Sequence, residues 1–145
     1  MGLYRCLPGS ALWEMENAQG PGALLVFPRR AVQITHTGGP PAVANPNHVM
    51  FYNPFQRYTR QLLDEEGDEC VFVALDNGLI RALVGEVDPS VADRAAPFDW
   101  ARGPGDAGAW MLHHALVSYL QSTDQPDDLL ILSLIHISEP TRRYE

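Results

Sequence analysis

Short runs that alternate hydrophobic and polar residues fill the first half of the chain. Val32, Ile34 and His36 point one way while Gln33 and Thr35 point the other, which is the two-residue period of a β-strand. Five further runs predict strands: residues 23–27, 42–44, 48–52, 57–63 and 69–75. Turn formers separate these strands about every ten residues, a spacing typical of an antiparallel sandwich or barrel.

The pattern changes in the second half of the chain. Residues 79–84 suit either a short helix or a last strand, and residues 88–104, rich in Pro, Ala and Asp, predict a crossing loop. Large apolar residues then recur at helical spacing: Trp110, Leu112, Leu116, Val117 and Leu120. We therefore expect a helix over residues 107–122 with Asp106 as its N-cap and with its apolar face packed on the β unit.

The two ends of the chain differ from this pattern. Residues 2–21 carry several turn formers and predict a lead-in with one short strand. Near the other end, residues 132–142 read LSLIHISEPTR, which matches the translation of a transposase-type sequencing-library adapter. We therefore expect residues 132–145 to be an adapter-derived, non-native tail, and they are left out of the fold prediction.

Composition and charge narrow the function classes. Hydrophobic residues make up 46% of the 145 residues, which favours one folded domain with a core. No apolar run reaches the roughly 18–20 residues that span a bilayer, and the start lacks a signal-peptide pattern, so we expect no membrane partner and a cytoplasmic location. The net charge of −8 argues against nucleic-acid binding by this chain itself, because phosphate contacts need clustered basic residues.

The candidate chemistry is sparse. Cys6 and Cys70 have no CxxC spacing and are expected to be buried free thiols. His36 and His48 stand alone on separate segments, without a His-x-His pair, so we expect no metal and no cofactor. The acidic residues 64–69 lack calcium-loop spacing and predict a solvated hairpin tip. No nucleophile–base motif or phosphate loop is present, which indicates that the chain is not an enzyme.

Four residues are candidates for binding a small molecule: His36, Tyr52, Tyr58 and Arg60. Small-molecule pockets combine apolar walls with a few oriented polar groups, and barrel interiors commonly hold them. Tyr58 and Arg60 share a strand face by alternation, so an anionic or aromatic ligand could contact both. The structural alternative is that Tyr58 packs in the core and Arg60 is solvated.

An ordered set of short motifs accompanies these elements: Phe27-Pro28-Arg29, the His36 to Gly39 turn, Ala44-Asn45-Pro46-Asn47, Phe51-Tyr52-Asn53, Gln56-Arg57-Tyr58, Gly67-Asp68-Glu69-Cys70, Pro97-Phe98, the helix from Leu112 to Leu120, and the segment from Asp127 to Ile131. In this order the elements and motifs resemble the sensor half of AraC-family transcription regulators of bacteria. The resemblance covers about residues 12–131 and is densest from Phe27 to Leu75.

The resemblance implies a mainly β fold with C-terminal α structure, namely a cupin-like antiparallel β-barrel (a double-stranded β-helix) followed by one or more helices. Residues 1–104 would form the sensor barrel with its lead-in and crossing loop, and residues 105–131 the start of a helical linker or dimerisation region. Trp110, Leu112, Leu116 and Leu120 would then serve helix packing or a homodimer. The family's helix-turn-helix half, through which DNA would be bound, is missing from this sequence.

Three functional hypotheses remain open on the sequence. The first is effector sensing for a transcription regulator, with a small molecule as the partner. The second is a small stand-alone cupin enzyme, an isomerase or a metal-dependent oxygenase, against which the missing His-x-His pair speaks. The third is a dimerisation module that binds no ligand.

Overall fold

The computed structural model describes residues 2–125 and 127–129 of the chain. The fold is mainly β, with two antiparallel sheets and two α-helices in these residues. The strands are β1 (Gly2–Cys6), β2 (Asn17–Ala18), β3 (Ala23–Pro28), β4 (Val32–His36), β5 (Pro41–Ala44), β6 (His48–Tyr52), β7 (Arg57–Leu62), β8 (Asp68–Leu75) and β9 (Arg102–Pro104). The α-helices are α1 (Asn77–Val87) and α2 (Gly105–Ser122), and short 3-10 helices span Ala11–Glu14 and Pro89–Asp93.

Strand pairing divides the β structure into a five-stranded sheet, in the order β1-β8-β3-β6-β9, and a four-stranded sheet, in the order β2-β7-β4-β5. The ladders of the described strands stay within each sheet. The prediction of a closed barrel is therefore wrong for these residues, although the prediction of antiparallel β structure is confirmed. Alternating side chains let each sheet present one apolar face to the other, so closure by hydrogen bonds is not needed to form a core.

The five-stranded sheet is covered on both faces, because alternate residues of its central strands enter two different clusters. Leu25 and Phe51 pack with residues of α1 and α2 in one cluster, which we call the helix-side core. Val26, Met50 and Cys70 pack with residues of β4 and β5 in the other, which we call the inter-sheet cluster. Both faces of this sheet are therefore buried, which explains why β3 and β6 are nearly continuous runs of buried residues.

Helix α2 lies close against this sheet. At Gly108 a Cβ atom would lie 3.0 Å from atoms of both Phe27 and Val49, so the glycine permits the approach. Leu112 is buried in the helix-side core, Trp110 and Leu116 pack at its margin, and Leu120 is exposed. Trp110, Leu112 and Leu116 thus contribute to helix packing, whereas for the exposed Leu120 the alternative of a homodimer contact stays a prediction.

The helix boundaries resolve one open alternative and correct one prediction. Residues 79–84 belong to α1, whose N-cap Asp76 accepts hydrogen bonds from the backbone N–H groups of Gly78 and Leu79. For α2 the N-cap is Pro104 and no side chain caps it, so the prediction of Asp106 as the cap is wrong. Asp106 lies within the first turn, where its charge still suits the positive end of the helix.

The lead-in contains more structure than the sequence indicated. Strand β1 pairs with β8 over five residues, and β2 extends the four-stranded sheet at β7. Gly67 stabilises this arrangement because its φ is +94° and a Cβ atom there would overlap the Cys6 carbonyl oxygen. Residues 3 and 5 of β1 are exposed while Cys6 is buried. The hydrophobic alternation of β1 is therefore too weak to predict a strand from the sequence.

The acidic segment is not a hairpin tip. Strand β7 lies in the four-stranded sheet and β8 in the five-stranded sheet, so the turn between them carries the chain from one sheet to the other. Glu65 and Glu66 are exposed as predicted, but Asp68 is buried at the start of β8.

Two further sequence predictions concern the rest of the chain. The cysteines Cys6 and Cys70 are both free and buried, as predicted. The predicted non-native tail, residues 132–145, lies outside the described residues. Within the part of the chain that the structure describes, no helix is long and apolar enough to cross a membrane.

Candidate functional site

A cavity of about 380 Å³ lies between the two sheets. Its wall is apolar over most of its extent, with side chains contributed by β3, β4, β5, β6 and β8: Leu24, Val26, Pro28, Val32, Ile34, Ala44, Met50 and Phe72. Polar side chains complete the wall: Tyr4, Asn17, Gln19, Tyr52, Tyr58, Arg60 and Asp68. The volume falls within the range of about 300–1,000 Å³ that is common for small-molecule pockets.

A buried ion pair forms the polar end of the cavity. Arg60 extends from β7 and its Nη1 donates to Oδ2 of Asp68, on β8 of the other sheet, at 3.2 Å. The side chains of Arg60 and Asp68 are only 3% and 7% exposed. Taking two charges out of water is costly unless each is paired, so the mutual contact is what makes this burial tolerable.

Aromatic groups surround the guanidinium of Arg60. Its central carbon lies 5.0 Å from the ring centre of Tyr4, 5.4 Å from that of Tyr58 and 5.9 Å from that of Trp13. Nη2 also donates to the Tyr58 hydroxyl at 3.0 Å. The negative faces of aromatic rings attract a cation, so the charge of Arg60 is balanced by rings as well as by a carboxylate.

Burial shifts the pKa values of the other titratable groups in this region further away from their charged forms. It raises the pKa of Tyr4 and of Cys70 to about 12, and it raises the pKa of Tyr52 and Tyr58 above 10.0. Burial likewise lowers the pKa of His36 below 6.5. The hydroxyl groups of Tyr52 and Tyr58 therefore keep their protons as donors.

Two effects act in opposite directions on the pKa of the Asp68 carboxyl group. Burial raises the pKa of Asp68 above 3.8, and the positive charge of Arg60 opposes that rise. The guanidinium 3.2 Å away favours the ionised form of this carboxylate. The paired charges cancel, which leaves the cavity wall formally neutral.

The structure brings the four predicted site residues to one region. Tyr52, Tyr58 and Arg60 line the cavity, and Tyr58 and Arg60 share a face of β7 as the alternation predicted. The alternative of a solvated Arg60 is wrong, because the residue is 5% exposed. His36 does not line the cavity but lies behind its wall, with its ring centre 4.8 Å from that of Tyr52.

Several site residues were not found by sequence reasoning. Asp68 was assigned to a solvated loop, and Tyr4, Trp13 and Asn17 to a lead-in with one short strand. The buried side chain of Asn17 donates to the carbonyls of Leu12 and Met15, which holds this segment at the cavity. The available signal was the alternation Asp68-Glu69-Cys70, since Cys70 was already expected to be buried and Asp68 shares its face.

The histidines that the structure describes are not grouped with other potential metal ligands. Among the described residues, no group of three or more His, Cys, Asp and Glu side chains is placed to hold a metal ion. Nε2 of His36 and Nδ1 of His48 are buried without a hydrogen-bond partner.

The adjacent arginines Arg29 and Arg30 differ in their partners. Arg30 forms ion pairs with Glu66 and Glu69, whereas Nε of Arg29 is buried without a hydrogen-bond partner.

Comparison with known proteins does not assign the chain to a family. No family model matches the chain, and no curated protein matches it either. Among solved structures, a crystal structure of an apo ToxT variant from Vibrio cholerae is similar over 90% of this chain, with 10% sequence identity and a TM-score of 0.48. This chain covers 51% of that chain, about half its length.

Proposed function

We propose that this chain is the effector-sensing part of an AraC-type transcription regulator, and that its effector is a small molecule bound between the two sheets. The observation that carries the proposal is the cavity, which combines a largely apolar wall with a cluster of buried polar groups at one end. The regulator class is supported by the ordered motifs between Phe27 and Leu75. The two-sheet unit is then an open variant of a cupin-like sensor.

The polar residues have distinct roles in this proposal. The hydroxyls of Tyr52 and Tyr58 contact the effector, and Arg60 orients Tyr58 through the 3.0 Å hydrogen bond from Nη2. His36 supports the ring of Tyr52 from behind the wall and is a positioning residue. Rigid groups of this kind fix the orientation of a ligand, while the apolar wall supplies most of its burial.

DNA is contacted indirectly in this proposal. The chain carries a net charge of −8, so in such a regulator phosphate binding would belong to a helix-turn-helix domain and not to these residues. Such a regulator would act in the bacterial cytoplasm.

Helix α2 is the proposed site of homodimer contacts. Val117 is 38% exposed and Leu120 is 43% exposed near its C-terminal end, while Leu112 of the same helix is buried. Apolar side chains left exposed together on one helix are typical of an interaction surface. Sedimentation velocity over a range of concentrations tests this, and a chain that stays monomeric at the highest concentration rules it out.

The central experiment is a small-molecule screen by thermal shift on the whole chain. A ligand that binds only the folded state raises stability by about 2.7 kcal/mol at a concentration of 100 times its Kd. We expect a hit, and we expect Ala44→Leu to abolish its effect, because Ala44 lines the cavity and leucine would fill it.

The matched control is Val43→Leu on the same strand. Val43 is 41% exposed and does not line the cavity, so this variant should keep the ligand-induced shift. A ligand whose shift survives Ala44→Leu and is lost with Val43→Leu would bind elsewhere and contradict the proposal.

A further inference from the structure

The two formal charges of the cavity are paired with each other, although Nε of Arg60 is buried without a hydrogen-bond partner. The guanidinium of Arg60 contacts Asp68 at 3.2 Å and lies near three aromatic rings. The other titratable groups on the wall are phenols and a thiol, which are uncharged at neutral pH, and burial raises their pKa values further: Tyr4, Tyr52, Tyr58 and Cys70. A ligand entering this space therefore meets a net charge of zero.

A charged ligand would be penalised on entering such a cavity. A carboxylate would lose its water and approach Arg60 only in competition with Asp68, and the two anions would repel each other. An ammonium group would compete with Arg60 for Asp68 in the same way. An ion that leaves water without an unshared counter-charge carries a large desolvation penalty, whichever its sign.

An uncharged polar group meets a more favourable surface. The Tyr58 hydroxyl accepts from Arg60, so its own proton is free to be donated. Within the described part of the chain the Tyr52 hydroxyl takes part in no side-chain hydrogen bond, although the residue lines the cavity. Two phenol donors beside an apolar wall suit a carbonyl or hydroxyl oxygen on an apolar skeleton.

We infer that the cavity selects an uncharged amphipathic molecule, with a carbonyl or hydroxyl group at one end, and discriminates against carboxylates and amines of the same shape. This inference rests on the proposed function, and of the anionic and aromatic ligands considered from the sequence it favours an uncharged one. Asp68 is then the residue that determines specificity, because its ion pair with Arg60 makes that guanidinium unavailable to an anionic ligand.

The test compares matched sets of small aromatic and aliphatic probes on the whole chain by ligand-observed NMR and calorimetry. Each apolar skeleton is offered as an alcohol, a carboxylate and an amine, for example phenylbutanol, phenylbutyrate and phenylbutylamine. We expect the alcohols to bind at least about tenfold more tightly than both charged forms, since an unpaired buried charge is strongly disfavoured. A preference for carboxylates or amines overturns the inference but keeps the proposed function.

The substitution Asp68→Asn sharpens the test. It keeps the size of the side chain and removes the negative charge, so the carboxylates should gain about tenfold or more relative to the alcohols. Glu69→Gln is the control, because Glu69 pairs with Arg5 and Arg30 away from the cavity and should leave the order of binding unchanged.

Two further outcomes are decisive. If Asp68→Asn folds, as judged by circular dichroism, and carboxylates gain nothing, the role of Asp68 is refuted; if it does not fold, the order of binding to the unsubstituted chain decides the inference. If none of the matched sets binds and the wider screen also yields no ligand, the proposed function itself fails.

Discussion

The two faces of the five-stranded sheet differ in their surroundings, since one packs on the helices and the other lines the cavity. On one face Leu25 and Phe51 pack against α1 and α2 in a dry cluster of apolar side chains. On the other, Met50 and Tyr52 face a cavity that holds an ion pair and phenol hydroxyls. Adjacent residues of a strand enter opposite environments, because side chains alternate. The helix-side core thus stabilises the sheet and leaves the inter-sheet face free for polar groups.

The largest expected effect is at the ion pair. Arg60→Met removes the partner of Asp68 and should lower the free energy of unfolding by about 3–5 kcal/mol, because it leaves a buried carboxylate uncompensated. Urea denaturation measures this loss. The double variant Arg60→Met, Asp68→Leu should recover most of the stability, since no buried charge remains. A double variant as unstable as the single one would show that the pair contributes through geometry rather than charge.

A matched pair of leucines compares the two faces directly. Leu25 is fully buried in the helix-side core, whereas Leu24 lines the cavity and is half-buried. Leu25→Ala should cost about 3 kcal/mol because it opens a void in a packed region, and Leu24→Ala about 1 kcal/mol because it enlarges an existing space. Equal losses, measured by urea denaturation, would contradict the difference in packing between the faces.

The next effect appears only at alkaline pH. The pKa of Cys70 rises from 9.0 to about 12 on folding, and that of Tyr4 from 10.0 to about 12. The folded state therefore binds protons more tightly, and the stabilisation present below pH 9 is lost as pH rises from about 9 towards 12. Chemical denaturation at a series of pH values should show a fall across that window.

Cys70→Ala provides the control for the alkaline loss. It removes one of the groups whose pKa is raised, so the fall in stability should become shallower. An unchanged dependence of stability on pH would assign the alkaline loss to other groups.

The helix-side core contains apolar residues among those described, so Phe51→Leu should lower the free energy of unfolding by a similar amount at every pH in the window.

The smallest expected effect is on the outer surface of α2. Leu120 is 43% exposed, so Leu120→Ala should change the free energy of unfolding by no more than about 0.5 kcal/mol in the monomer. Leu112→Ala, on the buried side of the same helix, should cost about 2–5 kcal/mol. Thermal denaturation at low protein concentration measures both, and a large loss from Leu120→Ala that grows with concentration would indicate a dimer contact.

The site could be predicted only in part, and the reason lies in sequence distance. Tyr58 and Arg60 were assigned to one face because alternation within a strand is a local property. Asp68 was misassigned because the acidic run around it was treated as one solvated turn, although its alternation with Cys70 was a local signal for burial. Its pairing with Arg60 follows only from the positions of β7 and β8 in different sheets. Tyr4 and Trp13 reach the guanidinium from the lead-in, and the sequence pattern there is too weak to predict long-range pairing.

Local patterns alone determined the positions of β4, β6, β7 and β8, the helix over most of α2, the burial of both cysteines and the acidic charge. Each of these depends on residue spacing or composition, which the chain carries without reference to its fold. The tertiary structure decided which strands pair, where β1 belongs, and that Arg60 is neutralised within the cavity. Pairing between distant segments depends on the summed burial of many side chains, so only the folded arrangement reveals which charges are left for a ligand.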